Sequence, residues 1–446
     1  MLGHSTETRK GTALTRNKST LTEEHGADSR EGVVLDAMRG RLSPLSTKSE
    51  SEPFCVMDLG SVQDQYEHWM SSLPAVEPFY GMRYYFPAVS HQVISILGDL
   101  GSGFDCASRY EIELVISQGI SADRIIFASP CKKPSDIEFA REVGVDRMTF
   151  DNEAELRKIK QLFPRSQLIL RCFASDPSAT YSLSSKFGAH PEESLKLLKL
   201  AKSLGLEVIG VSFHVGSGSK DPKVFEVAIK DSRRVVDAGL QLGHEMRLVD
   251  IGGGFSTETF DMAAVTIKDA LNTHFRGMPM DFVAEPGRYF VANALTVACG
   301  IIARRDSREN PASPQGPMNH MLYLNDGIYG SFLTYLFEPC PQPKVLRASG
   351  EFYPRTCSSD LANYIIWGPT CDGIDCILKD AELPGDLTCG DWVYFSNMGA
   401  YTTCLTTNFN GFMGHREIIY VSSNVSSGIN IHQAGADGLQ EGRLFA

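Results

Sequence analysis

The chain has 446 residues, 42% of them apolar, with 54 acidic and 42 basic residues for a formal net charge of -12. That length and apolar share suit a globular protein with one large domain and a second, smaller one, and the acidity argues against a nucleic-acid partner. Eleven cysteines, an odd number with no CxxC pair, suit free thiols in a reducing compartment and exclude a disulfide framework or a zinc site.

In chain order, residues 1–50 are polar, rich in Ser, Thr and charge and nearly without aromatics, so they read as a disordered leader. They contain no apolar core of signal-peptide length, and no run in the chain approaches a membrane span, so a cytoplasmic protein without a membrane partner is expected. "EPFCVMDLG" (52–60) reads as a strand that precedes the main domain. From residue 79 short apolar, β-branched runs alternate with amphipathic helical patterns, the signature of βα units. The strands are expected at 79–86, 103–108, 124–130, 147–152, 167–173, 208–215, 246–253 and 280–287. Helices such as "PSDIEFAREVG", "EAELRKIKQLF", "PEESLKLLKLAKSLG" and "FEVAIKDSRRVVDAGLQLG" lie between them, apolar at i, i+3, i+4.

Eight parallel strands with helical crossovers predict an α/β (β/α)8 barrel over 60–293. After about residue 294 the texture changes to strands without long helices, "TVACGIIAR", "HMLYLND", "PKVLRA", "NYIIWGP", "DWVYFSN" and "EIIYV". Residues 51–59 and 294–446 are therefore expected to form an antiparallel β-domain.

Polar residues at the C-terminal ends of barrel strands face the mouth. Here they are Arg83, Asp105, Arg171, His214 with Ser217, Gly252 to Gly254, and Glu285 with Arg288. "HVGSGS" (214–219) and "DIGGGF" (250–255) are small-residue loops whose backbone N–H groups can cradle a phosphate. Either alone is usually just a turn, but two after adjacent late strands favour phosphate. In "AEPGRYF", Pro286 and Gly287 separate Arg288, a guanidinium for the same anion, from Glu285. That carboxylate could hold a pyridine nitrogen protonated or simply pair with Arg288. His214 is either a satisfied structural histidine or a ring that stacks on a flat cofactor. Cys371 and Asp372 in "WGPTCDGID" sit on a sharp loop that displays side chains, although a small buried Cys beside a turn Asp reads equally from these residues alone.

Taken together, "GFDCASRYEIE", "SFHVGSG", "DIGGGF", "AEPGRYF", "NDGIYGSF", "WGPTCDG" and "NMGAYT" resemble the eukaryotic ornithine decarboxylase family, fold type III enzymes that use pyridoxal 5'-phosphate (PLP). The similarity runs from about Phe54 to about Val421. It implies that Ser217, the glycines Gly252, Gly253 and Gly254, and Arg288 hold the cofactor phosphate, with Tyr401 reaching it from the β-domain. Glu285 would pair with the ring nitrogen and His214 would stack on the ring, while Asp105, Glu111 and Arg171 line its other side. Cys371 would return a proton to the substrate after CO2 departs, and Asp372 would bind the distal amine of a small basic amino acid. Both would come from the neighbouring subunit, which implies a head-to-tail homodimer, and Lys186 and Asp375 match a pair that bridges the subunits.

Two positions depart from the family pattern. The substrate-binding Tyr-Asp pair reads Phe337-Glu338 here. The lysine of the family's "FYAVKCN", which bonds PLP covalently, is replaced by Arg83 in "FYGMRYY", and no lysine occurs between Lys48 and Lys132. An arginine with a pKa above about 12 stays protonated and cannot form that bond. Three readings follow. One is a PLP-binding decarboxylase, slow or altered in substrate, serving polyamine or specialised alkaloid metabolism. Another is a non-catalytic binding protein like the antizyme inhibitors, with an antizyme-like partner. The third is a heterodimer in which this chain lends Cys371 and Asp372 to an intact decarboxylase. The first leads, because a pure scaffold has no need for so complete a cofactor shell.

Overall fold

The computed structural model describes residues 29–43, 51–82, 87–181, 183–308, 318–353, 360–412 and 416–424. In chain order these form α1 (Arg30–Arg41), β1 (Phe54–Asp58), α2 (Leu59–Ser72), β2 (Glu77–Gly81), α3 (Pro87–Leu100), β3 (Gly103–Cys106), α4 (Arg109–Ser117), β4 (Ile125–Phe127) and α5 (Pro134–Val143). There follow β5 (Arg147–Phe150), α6 (Glu153–Leu162), β6 (Gln167–Arg171), α7 (Pro191–Ser203), β7 (Glu207–Ser212), α8 (Lys223–Gln241), β8 (Leu248–Asp250), α9 (Phe260–His274), β9 (Asp281–Ala284) and α10 (Arg288–Val291). Beyond these, short 3-10 turns aside, come the strands β10 (Leu295–Arg308), β11 (Met318–Leu324), β12 (Lys344–Ala348), β13 (Glu351–Phe352), β14 (Leu361–Trp367), β15 (Cys376–Pro384), β16 (Trp392–Phe395) and β17 (Glu417–Val421).

Strands β2 to β9 close a parallel barrel, with Glu77 and Pro78 of β2 in register with Val283 and Ala284 of β9. Its interior is filled by Phe79, Ile126, Ile169, Ile209, Leu248 and Val283. A Cβ on Gly103 would meet the Phe79 ring at 2.5 Å, so glycine there lets one large ring plug the barrel. The crossover helices start where the sequence gives caps: Ser108 Oγ accepts from Glu111 N, Asn152 Oδ1 accepts from Glu155 N, and Pro134 and Pro191 open their helices.

All eight expected barrel strands are present, and most leave the ladder before their expected C-terminal ends. Those ends turn out of the barrel to form the loops of the mouth, so apolar texture outlasts pairing. Residues 83–86 of the first expected strand lie outside the described residues.

The second sheet runs β13-β12-β16-β10-β11-β14-β15, with β1 between β10 and β17. It is mostly antiparallel, but β1 pairs with β17 and β11 with β14 in parallel, a correction to a wholly antiparallel domain. Strand β15 was not expected. Ile377, Ala381 and Leu383 face inward, but Lys379 and Asp380 are both exposed beside a register shift, which breaks the period-two signal.

The expected disordered leader is also corrected in part. Within it, α1 is capped by Ser29 and docks on the second sheet, with Val34, Met38 and Leu42 against Phe54, Leu346, Trp392 and Tyr394. Ion pairs Arg41–Glu417 (2.7 Å) and Lys344–Glu31 (2.6 Å) flank it. Composition averaged over fifty residues hid this three-residue apolar stripe; residues 1–28 and 44–50 lie outside the described residues. Among the described residues no helix is long and apolar enough to cross a membrane, and ten cysteines are free.

Candidate active site

The C-terminal ends of the barrel strands surround a cavity that opens to solvent. Asp105, His214, Ser217, Gly253, Gly254, Glu285, Gly287, Arg288 and Tyr401, all singled out in the sequence, line it. Arg83 lies outside the described residues; the strand leading to it runs beside β3, with Met82 N donating to Asp105 O at 3.1 Å.

One end of the cavity is acidic. Asp105, Asp250 and Glu285, at the ends of β3, β8 and β9, are 1%, 0% and 6% exposed, and Arg171 at the end of β6 is 7% exposed. Burial raises the Glu285 carboxyl well above its ordinary range, reinforced by the charges of Asp250 and Asp105 and only partly offset by Arg171. Burial likewise pushes Asp250 up to about 6. Glu285 is thus the carboxyl of this cluster that favours its protonated form, and beside it Asp250 Oδ1 accepts from Gly252 N at 2.8 Å. Asp250 was not singled out from the sequence, although it opens "DIGGGF".

The two glycine loops lie back to back. A Cβ on Gly252, whose φ is +67°, would come within 1.9 Å of Phe213 O, and one on Gly254 (φ +117°) within 2.8 Å of Gly216 O. Only glycine allows this approach of two backbones. His214 Nδ1 accepts from Gly216 N at 3.0 Å, so in the neutral ring Nε2 carries the proton. A Cβ on Gly253 would lie 2.7 Å from Nε2, which places the imidazole edge at that glycine.

The other end is basic. Arg288 opens α10, whose next residues Tyr289 and Phe290 are buried against Trp69 in an aromatic cluster that fixes the backbone. Its guanidinium stands 5.0 Å from the Tyr401 ring centroid. Tyr401 itself has φ +57°, a left-handed backbone that costs a non-glycine residue roughly 1–2 kcal/mol. Its loop is pinned at Gly399, where a Cβ would come within 1.7 Å of Val291 O. Pro286 O accepts from Gly81 N at 3.4 Å, and a Cβ on Gly287 would lie 2.9 Å from Gly81 O, so this turn seals the barrel seam.

Several expected residues are placed otherwise. Glu338, expected at a substrate amine, makes a two-point ion pair with Arg288 (2.6 and 3.0 Å), and its neighbour Phe337 is 70% exposed. Carboxylate and guanidinium match as a fork, and the longer glutamate arm reaches it. Glu111 is buried beside its helix cap, accepting from Ala107 N at 2.6 Å, and does not line the cavity. Ser217 N donates to Tyr181 O at 3.0 Å, a contact between separate loops that no local pattern foretells. Cys371 is exposed and Asp372 accepts from the Tyr329 hydroxyl; neither lines the cavity of its own chain. Asp375 is buried and accepts from Ile328 N (2.7 Å), Thr370 N (2.9 Å) and Thr370 Oγ1 (2.6 Å), so within one chain it shapes the Cys371 loop. Lys186 Nζ lies 5.0 Å from the Phe187 ring centroid.

Residues 59–292 match the family model described as pyridoxal-dependent decarboxylase, pyridoxal binding domain. The chain is 57% identical over 89% of its length to decarboxylase flvG of Aspergillus flavus, covering 92% of that protein. It is 40% identical to ornithine decarboxylase of Neurospora crassa (88% of this chain, 86% of that protein) and 41% identical to antizyme inhibitor 2 of Xenopus laevis (85% and 83%). Among solved structures it resembles the Paramecium bursaria Chlorella virus arginine decarboxylase bound to agmatine, with TM-score 0.79, 35% identity, and coverage of 87% of this chain and all of that one.

Proposed function

The chain belongs to the ornithine decarboxylase family of pyridoxal-dependent decarboxylases, and from that premise we propose that the barrel-mouth cavity binds PLP without a covalent anchor and decarboxylates a small basic amino acid, ornithine or a near relative, slowly. The observation that carries this reading is the polarity of the cavity. At one end Asp105 and Glu285 line the cavity, with Asp250 and the counter-charge Arg171 buried beside them, and a glycine cradle with Arg288 forms the other. A ligand with a cationic ring nitrogen and an anionic phosphate fits that polarity, and Gly253 and Gly254 in the lining put backbone rather than side chains at the phosphate end.

When bound, PLP supplies an electron sink for cleavage of a bond at the substrate's α-carbon. The rest falls to the chain. Glu285 brings the proton that a ring nitrogen takes. His214 covers the ring from the Gly216 side, and Tyr401 and Arg288 close the phosphate end. Cys371, from a second copy of the chain, returns a proton to the α-carbon, and Asp372 of that copy receives the distal amine. Tyr329 holds Asp372 below the usual carboxylate range, ready to accept it. Exposed apolar side chains suit such pairing: Phe337 at the mouth, Ile374 in the Cys371 loop, and Phe409 stacked on Tyr329 at 4.3 Å. The protonated guanidinium of Arg83 does none of the work of a nucleophilic lysine, and losing such a group commonly costs on the order of 10² to 10⁴ in rate. The ten free thiols among the described residues suit the cytoplasm.

A second reading is favoured by Glu338 on Arg288 and by the identity to antizyme inhibitor 2: a non-catalytic binding protein, or a partner that lends Cys371 and Asp372 to an intact decarboxylase. The test is PLP retention and labelled CO2 release from ornithine, lysine and arginine, for wild type, Arg83→Lys, and wild type mixed with an intact decarboxylase subunit. The expectation is that PLP binds wild type but is lost on dialysis, that Arg83→Lys retains it through a borohydride-reducible bond, and that CO2 release rises in that variant. No PLP bound by either protein would overturn the catalytic reading.

A further inference from the structure

Glu338 and Tyr181 both meet the anion end of the cavity. The guanidinium of Arg288 is held by Glu338 through Nη2–Oε1 (2.6 Å) and Nη1–Oε2 (3.0 Å), with 19% and 12% of the two side chains exposed. This is the fork geometry a guanidinium offers a phosphate, so Glu338 uses the donors the phosphate needs. On the facing wall Ser217 and Tyr181 exchange backbone hydrogen bonds of 3.0 and 3.2 Å. The Tyr181 hydroxyl faces Thr334 and Glu338. The segment carrying Tyr181 is packed tightly on the glycine loop: a Cβ on Gly216 would lie 2.7 Å from Tyr181 O, and one on Gly218 2.8 Å from Thr180 Oγ1.

Resting on the PLP reading, we propose that Glu338 is a built-in anion that occupies the phosphate end of the cavity, held there by Tyr181, and that cofactor affinity is set by competition between this carboxylate and the cofactor phosphate. The negative charge that neutralises Arg288 also repels an incoming phosphate, so a bound phosphate must displace the carboxylate and break its link to Tyr181. The cost falls on phosphate-bearing ligands alone, because the ring end of the cavity is untouched.

The test titrates PLP, pyridoxal and inorganic phosphate into the full chain, freed of cofactor, by equilibrium dialysis. Glu338→Gln keeps size and removes charge; Glu338→Asp shortens the arm so that the fork cannot close, and covers the case in which Glu338→Gln misfolds. Hydrogen bonds to charged groups are worth enough that both variants should bind PLP about 10- to 100-fold tighter than wild type. Inorganic phosphate should follow, and pyridoxal should change by less than about twofold. The cofactor-free melting temperature should fall in both variants, because Arg288 loses its partner. PLP affinity unchanged or weakened in both variants, or pyridoxal gaining as much as PLP, overturns the inference while PLP binding by wild type leaves the cofactor reading standing. No binding of PLP or phosphate by any of the three proteins overturns both.

Discussion

Asp250 gives the sharpest test of the electrostatics at the ring end. Its carboxyl is fully buried and takes up a proton near pH 6, against an ordinary value of 3.8. Between those values the folded chain binds the extra proton and the unfolded chain does not, so this group's contribution to stability falls as pH rises through the window. A shift of about two units corresponds to a cost of about 3 kcal/mol at pH 7, almost all of it incurred between pH 4 and 6. Asp250→Asn removes the titration while keeping an oxygen for Gly252 N. Urea midpoints of the cofactor-free protein at pH 5, 6 and 7 should fall less steeply for the variant, the difference being up to about 1.4 kcal/mol per pH unit in the middle of the window. Asp176 and Asp306, with lowered values, cancel in the comparison, whereas Glu285, raised in part by the Asp250 charge, moves back towards its ordinary range in the variant and flattens its slope further. Identical slopes for the two proteins would show that Asp250 ionises normally and that the acidic end is better compensated than the buried charges imply.

Gly399→Ala should be among the most damaging single-methyl changes, because its Cβ would fall within 1.7 Å of Val291 O and must push the Tyr401 loop off the barrel; PLP affinity and the urea midpoint should both drop, and a variant as stable as wild type would refute the pinning. Met38→Ala removes a fully buried side chain from the contact of α1 with the second sheet. It should cost about 2–5 kcal/mol locally, seen as faster amide exchange over 30–41, with protection in the barrel unchanged.

The barrel was legible because each of its strands is buried on both faces and reads as a short apolar run, and because caps and prolines mark the helices between. The second sheet was legible only in part. Which strand β1 joins, and in which direction, depends on contacts across more than two hundred residues that no local pattern encodes. The cavity was found from glycines and charges at strand ends, a positional rule of barrels. Its energetics were not, because the partner of Arg288 comes from position 338 and the partner of Ser217 N from position 181, both on separate loops. Asp250 escaped notice for a related reason: an Asp before a glycine turn is ordinary in sequence, and only burial beside Glu285 makes it unusual.

The two departures from the family pattern act on the same quantity. A covalent anchor makes cofactor retention nearly independent of how well the phosphate is held, so in its presence a carboxylate on Arg288 would be a minor nuisance. With Arg83 in the anchor's place, retention falls entirely on the phosphate and ring contacts, and competition by Glu338 then acts on the whole of the binding energy. The effects of Arg83→Lys and Glu338→Gln on PLP retention should therefore be strongly non-additive: large for Glu338→Gln in the wild-type background, and small once the lysine is restored. Equal effects of Glu338→Gln in both backgrounds would mean that the two positions contribute independently, and would refute the claim that a covalent anchor masks the competition at Arg288.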